Sequence, residues 1–281
     1  MKEIAANIGI EQNSLGLIGG IIKGERQVIL VDSPFKKGEC GNWKASSNIN
    51  ESEDPCYLIV LDTNYDRLLS VKGCDCVIVV QNNAIVPIRG RNPALKLSDE
   101  SPQHSENPEP VINLNRLIPP EISFDKHFRM FLDDMQLDLE HHAGANHAGV
   151  WVDIPEAKVV FVGDTVVVDQ PPFLAYANLE LWEADLKLLT SERFNDYQII
   201  SSRSGLVDQS QIAEMMGTIA FILQLFDELA VRNASLEDWL AVIPQISEKT
   251  NQLELFNSEL FYNRLHWGIT TYYDLNNRER G

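Results

Sequence analysis

The amino-acid sequence predicts an α/β (α+β) protein in which two stacked sheets lie between helices, a four-layer αββα sandwich. The main observation is the order of the patterns, which runs strands, helix, strands, helix, strand and then helices. A hydrophobic fraction of 44% over 281 residues is enough for a large buried core. No segment has the composition of a linker between two cores, so we expect a single domain over residues 1–281.

The first part of the chain is dominated by strand patterns. Residues 4–32 alternate or run apolar around the turn Lys23–Arg26, which predicts two or three antiparallel strands. Residues 56–69 predict a buried strand entering a helix, and residues 74–88 predict a strand and a turn. Between these elements, residues 36–55 are polar, with at best one short helix near 41–46. Residues 89–120, rich in Pro, Ser, Asn and Glu, predict a polar surface loop.

Two hairpins are expected in the middle of the chain. Residues 122–142 form two short alternating runs about Asp133 and Asp134. The stretch from His142 to Thr165 then passes from a small-residue loop through the strand Val150–Ile154 and a turn into a β-branched strand. This second strand ends at Gly163 and Asp164, so the hairpin delivers a carboxylate to a strand end.

Helix patterns follow residue 165. Apolar side chains at Leu179, Trp182, Leu186 and Leu189 have helical spacing, with Asn178 as the expected N-cap. Residues 197–208 predict a strand and a glycine turn. C-terminal helices are expected over 208–275, one of them opened by a Ser-x-x-Asp capping pattern, and they should pack outside the second sheet.

The charge of the chain restricts its partners. A formal net charge of −18 argues against nucleic acid and against an anionic membrane surface, because both are bound by clustered Lys and Arg. No run approaches the roughly 18 apolar residues of a membrane span, and the first residues lack a leader pattern, so we expect a cytoplasmic protein. In that compartment we expect the four cysteines, Cys40, Cys56, Cys74 and Cys76, to be reduced thiols.

The stretch from His142 to Thr165 resembles the middle of the metallo-β-lactamase superfamily, where a loop histidine and a strand-end aspartate are metal ligands. Five weak matches in the same order, spread over residues 1–275, carry this resemblance. It implies that Asp164 stands at the place of the metal-bridging aspartate. It also implies that Asp32, after a buried strand, braces the site from below, although a turn or capping role explains Asp32 equally well.

The ligand positions implied by the resemblance have lost their histidines. The superfamily signature His-x-His-x-Asp-His would fall on Asp62, Asn64, Asp66 and Arg67. Only Asp66 matches it. The loop-histidine position falls on Ala145 or Asn146, with His147 one step out of register, and the last ligand position falls on Arg203. The sequence therefore does not support a two-zinc site.

The charges at these positions suggest a substitution. Carboxylates of Asp62, Asp66 and Asp164 facing one another in a buried site would be costly without a cation. We therefore hypothesise that the guanidinium groups of Arg67 and Arg203 take the electrostatic role of the metal ions. Under this hypothesis Asp66, Arg67 and Arg203 are the principal site residues.

Simpler interpretations remain open. Arg67 and Arg203 could be ordinary surface charges on a misaligned segment, and Asp66 and Asp164 could be turn or cap residues. A displaced metal site could also use His147 with Asp66, Asp164 and one of Asp62 or His142. If a metal is bound, the candidate ligands are Asp62, Asn64, Asp66, His147 and Asp164.

Three functions are compatible with these residues. The first is a degenerate, non-hydrolytic protein with a binding or regulatory role. The second is a hydrolase of an unknown ester, amide or phosphoester with a single or carboxylate-bound metal. The third is an interaction protein using its acidic surface and C-terminal helices, with apolar contacts among Phe256, Leu260, Phe261 and Trp267. We expect no cofactor, or else a divalent ion (Zn, Mn, Fe or Mg), and an unidentified small-molecule or protein partner, with a homodimer left open.

Overall fold

The computed structural model contains two β-sheets and a group of C-terminal helices. It describes residues 1–12, 16–32, 55–64, 67, 76–85, 120–168, 170–250 and 259–278. At positions 259, 260, 277 and 278 only the backbone is described. The helix expected near 41–46 and all but the last residue of the polar loop 89–120 lie outside these ranges.

The first sheet has seven strands that follow one another in chain order. They are β1 (Lys2–Ala5), β2 (Ile8–Gln12), β3 (Ile18–Lys23), β4 (Val28–Val31), β5 (Cys56–Ile59), β6 (Val77–Gln81) and β7 (Ile122–Phe124). Strands β1 to β4 pair antiparallel, whereas β4 to β7 pair parallel. The antiparallel part has one strand more than the sequence predicted, because the bulged strand β1 also pairs at the edge.

The second sheet has six strands in the order β13-β12-β11-β10-β9-β8. They are β8 (His127–Leu132), β9 (Met135–His141), β10 (Val150–Ile154), β11 (Val159–Phe161), β12 (Gln198–Ser201) and β13 (Gly205–Val207). Both predicted hairpins are present, but the first begins at His127, because Ile122–Phe124 of its predicted range pair with β6 in the first sheet. Asp133 and Lys158 adopt the left-handed conformation at their turns, each with φ of 53°. Only β11 and β12 pair parallel in this sheet, which brings the end of β12 beside Asp164.

The predicted helices after residue 165 are present, and two of them begin at the caps that the sequence indicated, Asn178 and Ser235. The helices are α1 (Leu179–Leu189), α2 (Gln209–Val231), α3 (Leu236–Leu240), α4 (Ile243–Lys249) and α5 (Glu259–Arg278). The Asn178 side chain accepts the Leu181 N–H at the start of α1. Capping boxes open α2 and α3, formed by Asp208 with Gln211 and by Ser235 with Asp238. None of the described helices is both long and apolar enough to cross a bilayer.

Three apolar clusters define the layers. Residues such as Ile29 of the first sheet and Val152 of the second fill the space between the sheets. Trp182, Ile219 and their neighbours lie between the outer face of the second sheet and the helices. A third cluster, which includes Leu58, is buried on the outer face of the first sheet. The predicted fold class, two packed sheets with helices, is confirmed. The segments between strands of the first sheet, where the sequence predicted the helices of the remaining outer layer, lie largely outside the described residues.

The expectation of reduced thiols is wrong for two of the cysteines. Cys56 and Cys76 form a disulfide, with an S–S distance of 2.13 Å. The cause is the register of β5 and β6, which sets Tyr57 opposite Val77 and so places Cys56 beside Cys76. Spacing along the sequence could not reveal this pairing, since it depends on which strands become neighbours. Cys40 and Cys74 lie outside the described residues.

Packing between the sheets leaves no room for a side chain at Gly20 of β3. A Cβ atom there would lie 2.5 Å from two ring carbons of Phe161 on β11, in the core between the sheets. We expect Gly20→Ala to lower the free energy of unfolding by about 1–3 kcal/mol, because the Phe161 ring must move in a close-packed core.

Gly217 provides the matched control. A Cβ atom at this position of α2 meets nothing within 4 Å. Gly217→Ala should therefore raise the free energy of unfolding by about 0.5–1 kcal/mol, since alanine is the better helix former. Urea denaturation of both variants measures the two effects, and equal stabilities would contradict the described packing between the sheets.

Candidate functional site

Polar side chains converge where strands of both sheets end. Asp32 follows β4, whereas Asp62, Asn64 and Arg67 follow β5. Asn146 lies in the loop between β9 and β10, Asp164 follows β11, and Ser202 and Arg203 lie between β12 and β13. Parallel pairing of β4 with β5 and of β11 with β12 puts these strand ends on one edge of each sheet. We refer to Asp32, Asp62, Asn64, Arg67, Asn146, Asp164, Ser202 and Arg203 as the Arg67 cluster.

The Arg67 side chain, only 1% exposed, bonds to three carboxylates. Its Nε donates to Asp32 Oδ2 at 2.6 Å, and its Nη1 lies 2.9 Å from Asp62 Oδ2. Its Nη1 and Nη2 also donate to the two oxygens of Asp164, at 3.2 and 2.7 Å. The bond to Asp164 is therefore bidentate, the strongest arrangement of this ion pair. An ordinary surface charge at Arg67 is excluded.

Arg203 reaches the same aspartate from the second sheet. Its Nε lies 3.2 and 3.1 Å from the two oxygens of Asp164, and its side chain is 12% exposed. Burial alone would raise the pKa of Asp164, but the guanidinium groups of Arg203 and Arg67 hold that pKa well below its usual range. Asp164 is thus an ionised carboxylate between two arginines.

Asp62 behaves in the opposite way. Its burial raises the pKa of the carboxyl to about 8; Arg67 lowers it, and the neighbouring Asp164 and Asp32 raise it further. Within the described residues three carboxylates thus face two guanidinium groups. The raised pKa of Asp62 favours its protonated form near neutral pH, which reduces the negative charge that the two guanidinium groups must balance.

Amide side chains complete the cluster. Asn64 Nδ2 donates to Asp164 Oδ2 at 2.8 Å and to Asp62 Oδ2 at 3.2 Å. Asn146 Nδ2 lies 3.5 Å from Asn64 Oδ1, and Thr63 Oγ1 donates to Asn146 Oδ1 at 3.0 Å. Of the three candidates for the loop position, Ala145, Asn146 and His147, the structure therefore turns Asn146 toward the cluster.

His147 lies against a different part of the molecule. Its ring makes an edge contact with Tyr176, with the ring centroids 5.2 Å apart, and hydrogen-bonds to none of the described cluster residues. Burial, and then His141, lowers the pKa of His147. His142 is also remote from the cluster, because its Nδ1 bonds to Asp185 of α1 at 2.8 Å.

Asp32 braces the site. Its Oδ1 accepts the Leu61 N–H at 2.9 Å, and its Oδ2 accepts Arg67 Nε and, at 2.7 Å, Ser202 Oγ. Its φ of 48° is unusual outside glycine and fits a fixed turn. Sequence reasoning missed Thr63 and Ser202. Their signal was only their position beside Asp62 and Arg203 at strand ends.

Solved structures with a similar fold are known, although no protein-family model and no curated protein matches the sequence. A metallo-beta-lactamase from Pontibacter korlensis is 14% identical, with a TM-score of 0.57, over 78% of this chain and 97% of its own. The metallo-beta-lactamase DIM-1 is 11% identical, with a TM-score of 0.56, over 78% of this chain and 96% of its own. The chain has the metallo-β-lactamase fold.

A further structural neighbour, with a longer chain, is a double mutant of the sec-alkyl sulfatase PisA1. It is 11% identical, with a TM-score of 0.61, and 92% of this chain matches 50% of the sulfatase chain. At this level of identity the likeness concerns the metallo-β-lactamase fold and not the chemistry of the site.

The residues at the strand ends do not fit the metal ions that the resemblance implied. Among the described residues, no group of three or more His, Cys, Asp or Glu side chains is arranged to hold an ion. Both oxygens of Asp164 are bonded to guanidinium groups, which cannot lose their proton and repel a dication. Asp66, the one residue that matches the signature, lies outside the described residues.

The raised pKa of Asp62 makes stability depend on pH. In the unfolded chain Asp62 has an ordinary pKa of 3.8, whereas burial raises its pKa in the folded protein to about 8. Over this window the folded state binds more protons, so wild-type stability should fall as the pH rises. Asp62→Asn should remove this contribution, and its stability relative to wild type should rise with pH, by at most about 1.4 kcal/mol per pH unit.

Urea denaturation at intervals between about pH 4.5 and 8.5 measures this difference. The raised pKa of His142 also makes stability fall with rising pH, but that effect is common to both proteins. Asp138→Asn is the control, because the pKa of Asp138 is lowered and its contribution is constant above about pH 4.5. Parallel curves for Asp62→Asn and wild type would show that Asp62 is ionised throughout.

Proposed function

We propose that the protein is a non-hydrolytic member of the metallo-β-lactamase fold, with a binding or regulatory role, in which arginines replace the metal ions. The observation that carries the proposal is the buried Arg67 guanidinium, bonded to the carboxylates of Asp32, Asp62 and Asp164. These carboxylates come from both sheets, at the edge where the resemblance implied the ion ligands.

Electrostatics support the replacement. A buried carboxylate without a cation is strongly disfavoured, and removing one partner of a buried ion pair costs about 3–5 kcal/mol. Arg67 bonds to all three carboxylates with directional bonds from each of its three nitrogens, and Arg203 adds a second positive charge at Asp164. A divalent ion would have to expel a guanidinium that is already fully engaged. Arginine at this position therefore opposes metal binding as well as substituting for it.

The described residues of the Arg67 cluster also lack an imidazole that could act as a general base or hold a metal ion. Two-metal and single-metal hydrolases need an open coordination position that activates water. The described members of the Arg67 cluster include no imidazole, and Ser202 Oγ donates to Asp32 rather than to a general base. This combination favours binding over bond cleavage.

A second candidate is a hydrolase that uses a carboxylate-bound Mn, Mg, Fe or Zn ion on an ester, amide or phosphoester. The observation in its favour is the grouping of Asp62 and Asp164 around one point, since hard ions accept carboxylate oxygens. It requires that Arg67 leave the carboxylates, so metal binding decides between the two candidates.

An interaction role of the acidic surface and C-terminal helices is a further candidate. Of the apolar residues expected to be exposed, Phe256 and the side chain of Leu260 lie outside the described parts. Phe261 is half-buried, and half-buried Trp267 packs on Phe173 and Tyr176. The described part of α5 therefore gives this role less support than the sequence suggested.

Metal titration of wild type and Arg67→Gln tests the main proposal. Wild-type protein should show no rise in melting temperature with Zn²⁺, Mn²⁺ or Mg²⁺. Arg67→Gln should lose about 3–5 kcal/mol of stability, because its carboxylates are left unpaired. A divalent ion should then restore part of this loss in the variant alone, since the repelling charge is gone.

Arg129→Gln is the control for charge removal. Arg129 pairs with Asp138 at 2.6 Å on the surface, so this variant should lose about 1 kcal/mol or less and gain nothing from metal. Arg67→Lys keeps the positive charge but lacks the planar set of five N–H donors, so it should lose less stability than Arg67→Gln. Stoichiometric metal in wild-type protein purified without added ions would overturn the proposal in favour of the carboxylate-metal hydrolase.

A further inference from the structure

A cavity of about 280 Å³ opens between the helices on the far side of the second sheet. It is bounded by the start of α1, the end of α2, α3 and the last turns of α5. The residues that line it include Phe226, Asp227, Trp239, Tyr272 and Tyr273. None of these side chains belongs to the Arg67 cluster.

We propose that this cavity binds a small organic cation of the quaternary ammonium class. The proposal is independent of the role of the Arg67 cluster. Its basis is the combination of aromatic walls, carboxylates at the same cavity and the absence of a cation among the described lining residues.

The aromatic walls form a continuous set of rings. Trp239 of α3 lies 4.7 Å from Phe226 of α2 and 5.6 Å from Tyr273 of α5, measured between ring centroids. Tyr272 lies 5.1 Å from Phe226 and 6.2 Å from Trp239. The rings meet at angles between 33° and 70°, so they do not stack as one flat pile. Ring faces of Trp and Tyr attract cations through their quadrupole.

The charged residues at the cavity favour a positively charged ligand. Asp227 and Glu180 are exposed residues in its lining, and none of the described lining residues is Lys, Arg or His. The side chain of Asn178, also in the lining, already accepts the Leu181 N–H of α1. An anion would meet two carboxylates with no compensating cation, whereas an ammonium group is attracted by both carboxylates and by the aromatic rings of the lining.

Trp239 adds a polar contact. The residue is only 5% exposed, yet its indole N–H donates to none of the described residues and remains accessible to solvent. A ligand with a hydrogen-bond acceptor could accept a hydrogen bond from this indole N–H, which would strengthen its binding. A cation that carries a hydroxyl, such as choline, therefore matches the lining better than a bare alkylammonium ion.

Isothermal titration with choline chloride tests the proposal on the full chain at about 0.15 M salt, which screens long-range charge effects. We expect saturable binding with a Kd on the order of 1 mM. The neutral isostere of choline, in which a tert-butyl group replaces the trimethylammonium group, should bind at least about five-fold more weakly, because it lacks the cation–π and carboxylate attraction.

Two variants assign the binding to this cavity. Asp227→Asn, at an exposed position where folding is not at risk, should weaken choline about two- to five-fold and leave the isostere unchanged. Tyr273→Leu should weaken choline by about five-fold, with the fold checked by circular dichroism. Glu228→Gln is the matched control, since Glu228 is an exposed neighbour on α2 that does not line the cavity, and it should change neither ligand.

Three outcomes of the choline titrations would contradict the proposal. No saturable binding of choline to wild type, equal binding of the isostere, or no effect of Asp227→Asn and Tyr273→Leu would each overturn the proposal. None of these results bears on the metal titrations of Arg67→Gln, because the two sites share no lining residue. Failure here and failure of the proposed function are thus distinguishable.

Discussion

The guanidinium of Arg67 is the interaction on which one edge of the sandwich depends. It bonds to Asp32 and Asp62 at strand ends of the first sheet and to Asp164 at a strand end of the second. Each of these aspartates would be costly to bury alone. Because one planar group with five N–H donors serves all three, the packing of the sheets at this edge depends on keeping Arg67 in place.

This arrangement places two guanidinium groups where strand ends of a metallo-β-lactamase fold gather carboxylates. Structural neighbours include metallo-beta-lactamases and a sec-alkyl sulfatase, but the likeness concerns the scaffold. A scaffold whose strand ends gather carboxylates needs positive charge there, whatever its source. Arg67 and Arg203 supply that charge from within the chain, and the raised pKa of Asp62 lowers the negative charge that they must balance.

Contacts between the start of α1 and the loop at Gly144 lie between the two proposed sites. The backbone N–H of Asn178, at the aromatic cavity, donates to the carbonyl of Gly144 at 2.8 Å. Gly144 belongs to the loop that carries Asn146 into the Arg67 cluster, and it packs directly on the backbone of Trp182 in α1. The start of α1 therefore lines the aromatic cavity and also contacts the loop that carries Asn146.

The sequence by itself determined the features that arise from neighbours in the chain. Periodicity and turn residues predicted the hairpin at Asp133, and capping patterns predicted the helix starts at Asn178 and Ser235, because these preferences act within a few residues. Only the tertiary structure decided the rest. The partners of Arg67 lie 35 and 97 residues away at Asp32 and Asp164, the Cys56–Cys76 pair depends on strand register, and the loop turns Asn146 rather than His147 to the site. Such contacts follow from which strands become neighbours, and local preference does not encode that choice.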